Sequence, residues 1–254
     1  MTQNRPFLLE ADIVHNPVTL FDEWFKEQAA KSPKVLFDDG KNVALTTCVN
    51  NKPSSRMLQL KSYDSEGFVF CSSYTSRKGR ELAENPNANL LFFWPSFHRQ
   101  IRVEGRCEKI SEELAQEFWK GRPLSARITC TVSQQSEFLK NREEQAAKSP
   151  KVLFDDGKNV ALTTCVNNKP SSRMLQLKCY DSEGFVFCSS YTSRKGCELA
   201  ENPNANLLFF WPSFHRQIRV EGRCEKISEE LAQDFWKGRP LSARITCTVS
   251  QQRS

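Results

Sequence analysis

Apolar and polar residues alternate with a period of two along much of the chain, which is the pattern of half-buried β-strands. Between residues 42 and 110 this alternation predicts five strands, at 42–49, 54–63, 68–72, 89–94 and 99–110. The first three are separated by turn-forming runs, Asn50-Asn51-Lys52-Pro53 and Asp64-Ser65-Glu66-Gly67. Links this short join antiparallel neighbours. The predicted fold class is mainly β with helices at the connections (α+β), in a small antiparallel barrel or sandwich.

Three segments change to the 3.6-residue period of amphipathic helices. Asn16 and Pro17 provide an N-cap and a first-turn proline, and apolar residues then recur at helical spacing until near Lys31. Ser76 caps a predicted helix over residues 76–84, and Ser111 caps another that has two glutamates in its first turn. This last helix is predicted to point its apolar side chains inward, namely Leu114, Ala115, Phe118 and Trp119.

The dominant feature of the sequence is an internal duplication. Residues 27–135 return as residues 144–252 at a constant offset of 117, with three differences in 109 aligned positions: Ser62 against Cys179, Arg80 against Cys197 and Glu117 against Asp234. A period this long is a domain-sized unit, because each copy has enough apolar residues for much of a core. The chain is predicted to contain a leader with the amphipathic helix (1–26), a first copy (27–136), and a linker with a second copy (137–254).

Composition places the chain among soluble globular proteins, with 39% hydrophobic residues in a length of 254. No apolar run approaches the roughly 18 residues that span a bilayer, and charged residues interrupt the first fourteen positions, so neither a membrane partner nor a signal peptide is predicted. A cytoplasmic location is the resulting expectation. The net charge of +6 is spread among 30 acidic residues without a Lys/Arg-rich run, which argues against nucleic acid as a partner.

The ten cysteines are mostly a product of the duplication, since only Cys179 and Cys197 lack a repeat-related partner. Their spacings contain no C-x-x-C pair of the kind that binds zinc, so no metal site is predicted. Most lie in apolar runs, where a reduced thiol packs as a small hydrophobe. Buried free thiols are therefore expected rather than disulfides.

Two basic clusters suggest chemistry. Arg56 and Lys61 lie on a predicted strand, and Arg77 and Lys78 fall in the first turn of the helix that Ser76 caps. Cations at a helix N-terminus oppose the macrodipole, at a cost of a few tenths of a kcal/mol up to about 1, whereas a bound phosphate would reverse the sign of that cost. A solvated basic surface is the alternative interpretation.

The order and spacing of several motifs resemble one known family. They are Ser-Ser-Arg-Met-Leu-x-Leu-Lys, Gly-Phe-x-Phe, Ser-Arg-Lys-Gly-x-Glu-Leu, Asn-Pro, Phe-Trp, Arg-Gln-Ile-Arg-Val-Glu-Gly and Gly-Arg-Pro-x-Ser. Together they resemble pyridoxine (pyridoxamine) 5'-phosphate oxidase, also called pyridoxal 5'-phosphate synthase. The resemblance covers nearly all of each copy and implies two tandem FMN-binding split barrels. It also implies that FMN binds at a homodimer interface, and that the reaction is oxidation of pyridoxine or pyridoxamine phosphate by dioxygen.

The resemblance also implies which residues form the sites. Those matched to FMN in the first copy are Arg56, Met57, Leu58, Gln59, Cys71, Ser72, Arg77, Lys78, Gln100, Gln135 and Ser136. Those in the second are Arg173, Met174, Leu175, Gln176, Cys188, Ser189, Arg194, Lys195, Gln217 and Gln252. The residues matched to the substrate phosphate are Lys61, Arg122, Lys178 and Arg239. No catalytic residue is assigned, because in a flavin enzyme the cofactor supplies the redox chemistry.

The sequence also departs from the family pattern. Phe118 replaces a tyrosine and Ala126 a serine, which removes two hydroxyl contacts to the substrate phosphate, and Gln59 and Arg253 are further differences. Neither copy continues into the family's C-terminal strands, which bear a Trp, an Arg-x-His pair and a flavin-contacting Arg. A non-catalytic module that binds FMN or a B6 phosphate is therefore the alternative function, and a truncated or misassembled chain is a third. Either a homodimer or an intrachain pseudo-dimer of the two copies would build the flavin site.

Overall fold

The structure, a computed structural model, describes residues 16–31, 40–124, 127, 159–211, 216–242 and 244–245. Helix α1 comes first and is followed by the elements of copy 1: α1 Pro17–Lys31, β1 Asn42–Val49, β2 Lys52–Tyr63, β3 Phe68–Phe70, α2 Arg77–Glu84, β4 Asn87–Trp94, β5 Arg99–Arg106 and α3 Glu112–Lys120. Copy 2 repeats them without a described counterpart of α1: β6 Asn159–Val166, β7 Lys169–Tyr180, β8 Phe185–Phe187, α4 Arg194–Glu201, β9 Asn204–Trp211, β10 Arg216–Arg223 and α5 Glu229–Lys237.

Each copy forms one antiparallel five-stranded sheet, which confirms the predicted fold class. The strand order is β3-β2-β1-β4-β5 in copy 1, and the same order in copy 2 is β8-β7-β6-β9-β10. The predicted four-residue turn after β1 is shorter than expected. Asn50 and Asn51 both have a positive φ, the conformation of a two-residue hairpin turn, so Lys52 already pairs with Val49.

Strand β5 ends at Arg106, earlier than the alternation predicts. Its neighbour in the sheet is β4, and β4 begins at Asn87, which pairs with Arg106. The alternation of polar and apolar residues continues past Arg106 in the sequence. However, β4 has no residue before Asn87 that could pair with residue 107 or those after it. Strand β3 likewise ends at Phe70, after three residues, instead of continuing to residue 72.

Helix α1 closes the core of copy 1. Its N-cap forms as predicted, since the amide of Val18 donates to Asn16 Oδ1 at 2.9 Å. Phe21 and Phe25, one turn apart, are both buried against the sheet. The Phe21 ring lies 4.9 to 6.0 Å from four aromatic rings of the sheet, those of Tyr63, Phe68, Phe92 and Trp94. Edge-on aromatic packing of this kind contributes on the order of 0.5–1.5 kcal/mol per pair beyond the area buried.

The two copies pack against each other through a small shared core. Its buried residues are related in pairs by the repeat, with Met57 and Met174 packed beside them: Ala44, Leu91, Ala161 and Leu208. Four fully buried hydroxyls form a ring between the sheets. Thr46 bonds to Ser55 at 2.7 Å and to Ser172 at 2.8 Å, and Thr163 bonds to the same two serines, each at 2.8 Å. Each hydroxyl can donate once and accept once, so the ring is satisfied without water.

Helix α3 differs from expectation. Ser111 caps it as predicted, but Leu114 is 36% exposed and Trp119 is 42% exposed. The equivalent residues of α5, Leu231 and Trp236, are exposed to the same degree. The helical period correctly identifies an apolar face, but in the described part of the chain only Ala115 and Phe118 of this face are partly buried, so the inward prediction is wrong for Leu114 and Trp119.

The described cysteines are all free thiols. Cys48 and Cys165 are fully buried, as expected, whereas Cys179 and Cys197, the two that lack a repeat-related partner, are exposed. The prediction of buried thiols is therefore wrong for these two. No helix among the described residues has the length and apolar content to cross a membrane.

Candidate functional site

The start of α2 forms a tight cradle. The Ser76 hydroxyl accepts from the amide of Gly79 at 3.3 Å, so the predicted N-cap is present. A Cβ at Gly79 would lie 2.4 Å from the carbonyl oxygen of Tyr74 and 2.6 Å from that of Ser73. Only glycine allows the preceding loop to pack this closely on the first turn. The equivalent Gly196 of copy 2 is enclosed in the same way.

Arg56 is a buried cation, 7% exposed, on the inner face of β2. Its guanidinium donates to Glu81 Oε2 at 2.9 Å, to Thr47 Oγ1 at 2.7 Å and to Ser54 Oγ at 3.1 Å. Burial lowers the pKa of Arg56 to about 10, although the Glu81 carboxylate opposes that shift. The strand residue and the helix are thus joined by a desolvated ion pair.

Arg77 connects the two copies. Its side chain forms an ion pair with Glu81 on α2 at 2.7 Å. It also donates two hydrogen bonds to the carboxylate of Glu221 in copy 2, at 2.8 and 3.0 Å. The hydrogen bonds that Arg77 donates to Glu221 raise the pKa of Arg77. A fork of two N–H groups on one carboxylate is geometrically specific, so this contact fixes the start of α2 against β10.

Lys78 lies half-buried beside two other cations. Its ammonium is 3.4 Å from Ser76 Oγ. Burial, together with repulsion from Arg56 and from Arg219 of copy 2, lowers the pKa of Lys78 to about 8. A cation held in such surroundings favours an anion as a neighbour.

The charges around α2 fit a phosphate group. Among the described side chains the cluster holds two carboxylates, Glu81 and Glu221, and four cations, Arg56, Arg77, Lys78 and Arg219. Two positive charges therefore remain, at a capped helix N-terminus with two serine hydroxyls, Ser72 Oγ and Ser76 Oγ, 3.3 Å apart. A phosphate monoester has a charge of about −1.5 to −2 at neutral pH. The donor set thus fits the FMN phosphate that the sequence predicts.

Copy 2 contains the same cluster with the roles of the copies exchanged. Arg173 pairs with Glu198 at 3.0 Å, and Arg194 pairs with Glu198 at 2.8 Å and with Glu104 of copy 1 at 2.9 Å. Burial lowers the pKa of Lys195, and the nearby Arg173 and Arg102 lower it further. Each cluster is thus completed by β5 or β10 of the other copy.

A cleft of about 400 Å³ opens beside the second cluster, between the copies. One wall is the end of the β4–β5 hairpin and the other is the β6–β7 pair: Phe93, Pro95, His98, Arg99, Gln100, Asn159, Met174, Leu175 and Gln176. The wall combines strand backbone, amide side chains and apolar surface, which are the groups that a flavin ring requires. It includes Gln100, Met174, Leu175 and Gln176, which the sequence assigns to FMN.

Two glutamines cross between the copies at equivalent points. The backbone amide of Met174 donates to Gln100 Oε1 at 3.0 Å, and that of Met57 donates to Gln217 Oε1 at 2.9 Å. The sequence places these glutamines and these strand segments in the same cofactor site, and the structure brings them into contact. Each contact joins residues that are 74 or 160 positions apart in the chain.

The predicted substrate cations are close to the flavin segments. Lys61 donates to Gln59 Oε1 at 2.9 Å, and Lys178 donates to Gln176 Oε1 at 3.4 Å. Burial raises the pKa of the Cys188 thiol, and two nearby cations, Lys178 and Arg239, oppose that shift. Lys178 and Arg239 thus both act electrostatically on one thiol that the resemblance assigns to the FMN site.

Other predicted residues have different positions. Leu58 packs against the core of copy 1, whereas Leu175 both packs against the core of copy 2 and lines the cleft. Gln135, Ser136 and Gln252 lie outside the described residues, so their place in the site stays a prediction.

The carboxylates that belong to the two clusters were not predicted from the sequence. Glu81 and Glu198 each lie four positions after an arginine of the same helix, a spacing that signals an ion pair. Arg102 and Glu104 lie on the polar face of β5, but the alternation alone does not show that this face meets the other copy. That contact depends on how two separate sheets are arranged.

Comparison with known proteins gives a consistent result. The model of the pyridoxamine 5'-phosphate oxidase family matches the chain twice, over residues 35–155 and 151–254. A putative pyridoxamine 5'-phosphate oxidase of Caenorhabditis elegans is 42% identical over 165 residues, which cover 64% of this chain and 68% of that protein. A pyridoxine/pyridoxamine 5'-phosphate oxidase of Burkholderia mallei (strain SAVP1) is 41% identical over 156 residues, covering 61% and 72%.

Among solved structures, PhzG from Burkholderia lata 383, in complex with tetrahydrophenazine-1-carboxylic acid, aligns at 25% identity with a TM-score of 0.47. The alignment covers 67% of this chain and 98% of that one.

Proposed function

The chain belongs to the pyridoxamine 5'-phosphate oxidase family, and on this premise we propose that it binds FMN between its two copies and oxidises pyridoxine or pyridoxamine 5'-phosphate to pyridoxal 5'-phosphate, with dioxygen as the electron acceptor. The observation that supports this most directly is the cluster of four cations and two carboxylates at the start of α2. Among the described side chains of this cluster the cations outnumber the carboxylates by two, which matches the charge of one phosphate monoester.

The protein's own groups would position and neutralise the cofactor. Lys78 and Arg219 would bind the FMN phosphate together with the Ser76 hydroxyl, while Glu81 and Glu221 hold Arg56 and Arg77 in place. The backbone of β2 and Gln217 would face the flavin ring. When bound, FMN supplies the chemistry of hydride acceptance and of electron transfer to dioxygen. The protein would contribute orientation and a fixed electrostatic field rather than a proton-transferring side chain.

A second pair of cations would select the substrate by its phosphate. Lys178 and Arg239 both lie near Cys188, beside the flavin segment of copy 2, and Lys61 and Arg122 are their equivalents in copy 1. A B6 vitamer has one phosphate and a small aromatic ring, so two cations at the edge of a flavin cleft provide charge recognition. Phe118 cannot donate a hydrogen bond where the family has a tyrosine, so we expect weaker phosphate binding than the family pattern implies.

Purification followed by a peroxide assay tests the proposal. We expect a yellow protein that releases flavin on denaturation and produces hydrogen peroxide when pyridoxamine 5'-phosphate is added in air. Unphosphorylated pyridoxamine is the matched control and should give far less peroxide. A folded, colourless protein that does not take up added FMN would contradict the proposal.

The alternative is a module that binds FMN or a B6 phosphate without turnover. It is supported by Phe118 and Ala126, which stand where the family has a tyrosine and a serine, so two hydroxyl groups that would contact the substrate phosphate are replaced. Stoichiometric flavin without peroxide release, at any concentration of pyridoxamine phosphate that the protein binds, would favour this alternative over the oxidase.

The internal pairing of the copies predicts the mass of the flavin-loaded protein in solution. The Arg77–Glu221 and Arg194–Glu104 pairs, the hydroxyl ring and the shared apolar core are all satisfied within one chain. A linker makes such pairing intramolecular, with an effective concentration in the millimolar range for short flexible linkers. We therefore expect light scattering to give the mass of one chain. A mass of two chains or more at micromolar concentration would contradict the pseudo-dimer.

The pKa of Lys78 predicts how FMN affinity depends on pH. Without ligand this pKa is lowered to about 8, and a bound phosphate would raise it again. Above about pH 8 the free protein has lost the proton that the complex needs, so binding takes up a proton. FMN affinity should then fall by up to about tenfold per pH unit.

Fluorescence titration at about pH 7 and about pH 9 measures this slope. The slope should be much smaller when Lys78 and Lys195 are both alanine, and an unchanged slope would exclude these lysines as its source.

A further inference from the structure

Copy 2 exposes an aromatic surface that is covered in copy 1. The surface, here called the copy-2 aromatic face, consists of Tyr180, Phe185, Trp211 and Arg216, which lie over the buried Phe209. Tyr180 is 72% exposed and Phe185 is 38% exposed. The equivalent Tyr63 and Phe68 of copy 1 are partly buried and in ring contact with α1.

Copy 1 shows which kind of segment this surface accepts. Besides the two phenylalanines, α1 supplies two carboxylates. Asp22 Oδ1 accepts from the Tyr63 hydroxyl at 2.8 Å, and Glu27 pairs with Arg99 at 2.7 Å. The guanidinium of Arg99 also lies 4.6 Å from the centre of the Trp24 ring. Tyr180 and Arg216 occupy the same positions in copy 2, so the apolar and the charged parts of the recognition surface are both repeated.

The described residues contain one such helix, α1, and it packs on copy 1. A second copy of the chain would bring an α1 that is engaged in the same way, so exchanging helices between chains would cover one face only by uncovering another. The rings of Tyr180 and Phe185 are both exposed and stack at 6.1 Å, and the partly exposed Trp211 stacks on the buried Phe209 at 5.8 Å. An exposed apolar patch bordered by polar groups is characteristic of a protein interaction site.

We propose that the copy-2 aromatic face binds an amphipathic helix of another protein. The helix would carry aromatic residues at positions i and i+4, a carboxylate at i+1 for the Tyr180 hydroxyl and a second carboxylate at i+6 for Arg216. This is a helix-in-groove mode of recognition, in which a few anchors on one helix face give the specificity. It goes beyond the oxidase function and does not depend on it.

A peptide with the α1 sequence, residues 16–31, is the probe, and the full-length, flavin-loaded protein is the receptor. Fluorescence anisotropy of the labelled peptide should show saturable binding to one site per chain. A peptide with Phe21→Ala and Phe25→Ala should bind at least tenfold more weakly. A peptide with Asp22→Asn and Glu27→Gln should bind severalfold more weakly, and this loss should shrink in protein carrying Arg216→Gln.

Protein variants locate the binding site. Tyr180→Ala with Phe185→Ala should abolish peptide binding, and Tyr180→Ala alone, at a largely exposed position, should weaken it if the double variant does not fold. The matched control is Leu231→Ala with Trp236→Ala, which changes an equally exposed apolar patch on α5 and should leave binding intact.

Three outcomes would overturn the proposal. The first is no saturable binding, as expected if a segment of the same chain already covers the face. The second is binding that the Tyr180 and Phe185 changes do not affect, which would indicate displacement of α1 from copy 1. The third is concentration-dependent dimerisation that these changes abolish, which would assign the face to a second copy of the chain.

Discussion

Replacing Lys78 and Lys195 with alanine is expected to remove most of the bound FMN. Each lysine lies among arginines of both copies at the start of a capped helix, where the cations outnumber the carboxylates by two. A hydrogen bond to a charged group contributes about 1.5–3 kcal/mol, so FMN affinity at each site should fall roughly ten- to 150-fold. Fluorescence titration of the apoprotein with FMN measures the dissociation constant, and the absorbance of the purified variant gives the flavin content.

The matched control is Lys52→Ala with Lys169→Ala. These lysines are exposed at the first residue of β2 and β7, and the substitutions change the net charge by the same amount. Affinity should stay near that of the unmodified protein. Stoichiometric flavin in the Lys78/Lys195 variant, or an equal loss in the control, would show that the clusters at α2 and α4 are not the phosphate sites.

The second large effect concerns the buried ion pairs. The side chains of Arg56 and Arg173 are each 8% exposed and pair with Glu81 and Glu198. Glu81→Ala removes the carboxylate that pairs with Arg56, and Glu198→Ala removes the one that pairs with Arg173. Breaking a buried pair by removing one partner costs about 3–5 kcal/mol. We expect the double variant to unfold at markedly lower urea concentration. Added FMN should recover part of the loss, because its phosphate returns negative charge to the cluster and a ligand stabilises the state that binds it.

Glu84→Ala with Glu201→Ala is the control for this experiment, since both residues are exposed at the ends of the same helices. Their removal should change the free energy of unfolding by no more than about 0.5 kcal/mol. Equal unfolding midpoints for the two double variants would mean that the Arg56 and Arg173 pairs add no stability.

Features set by local sequence could be predicted well. The five strands of each copy occur in the predicted order, although several of their ends are shifted, and the Ser76 and Ser111 caps and the α1 N-cap at Asn16 occur where the capping residues place them. These features need only neighbouring residues. Gln100 and Gln217 were assigned to the site by resemblance, and the structure brings each to the flavin strand of the other copy.

Features that depend on how separate elements meet could not be predicted. The alternation in β5 separates a polar from an apolar face, but the Arg194–Glu104 pair requires the position of a helix 90 residues away. The exposure of Leu114 and Trp119 has a similar origin. A helical period identifies an apolar stripe but does not determine whether another element covers it.

The hydroxyl ring has a consequence for how such a protein changes over generations. In a dimer of identical chains every mutation appears on both sides of the symmetry axis, so altering Thr46 would also alter its mate. Here Thr46 and Thr163 have separate codons, and a single nucleotide change can remove one hydroxyl of the four while the other three remain. The two copies can therefore become different from each other one substitution at a time. The three differences between the copies, Ser62 against Cys179, Arg80 against Cys197 and Glu117 against Asp234, are of this one-sided kind.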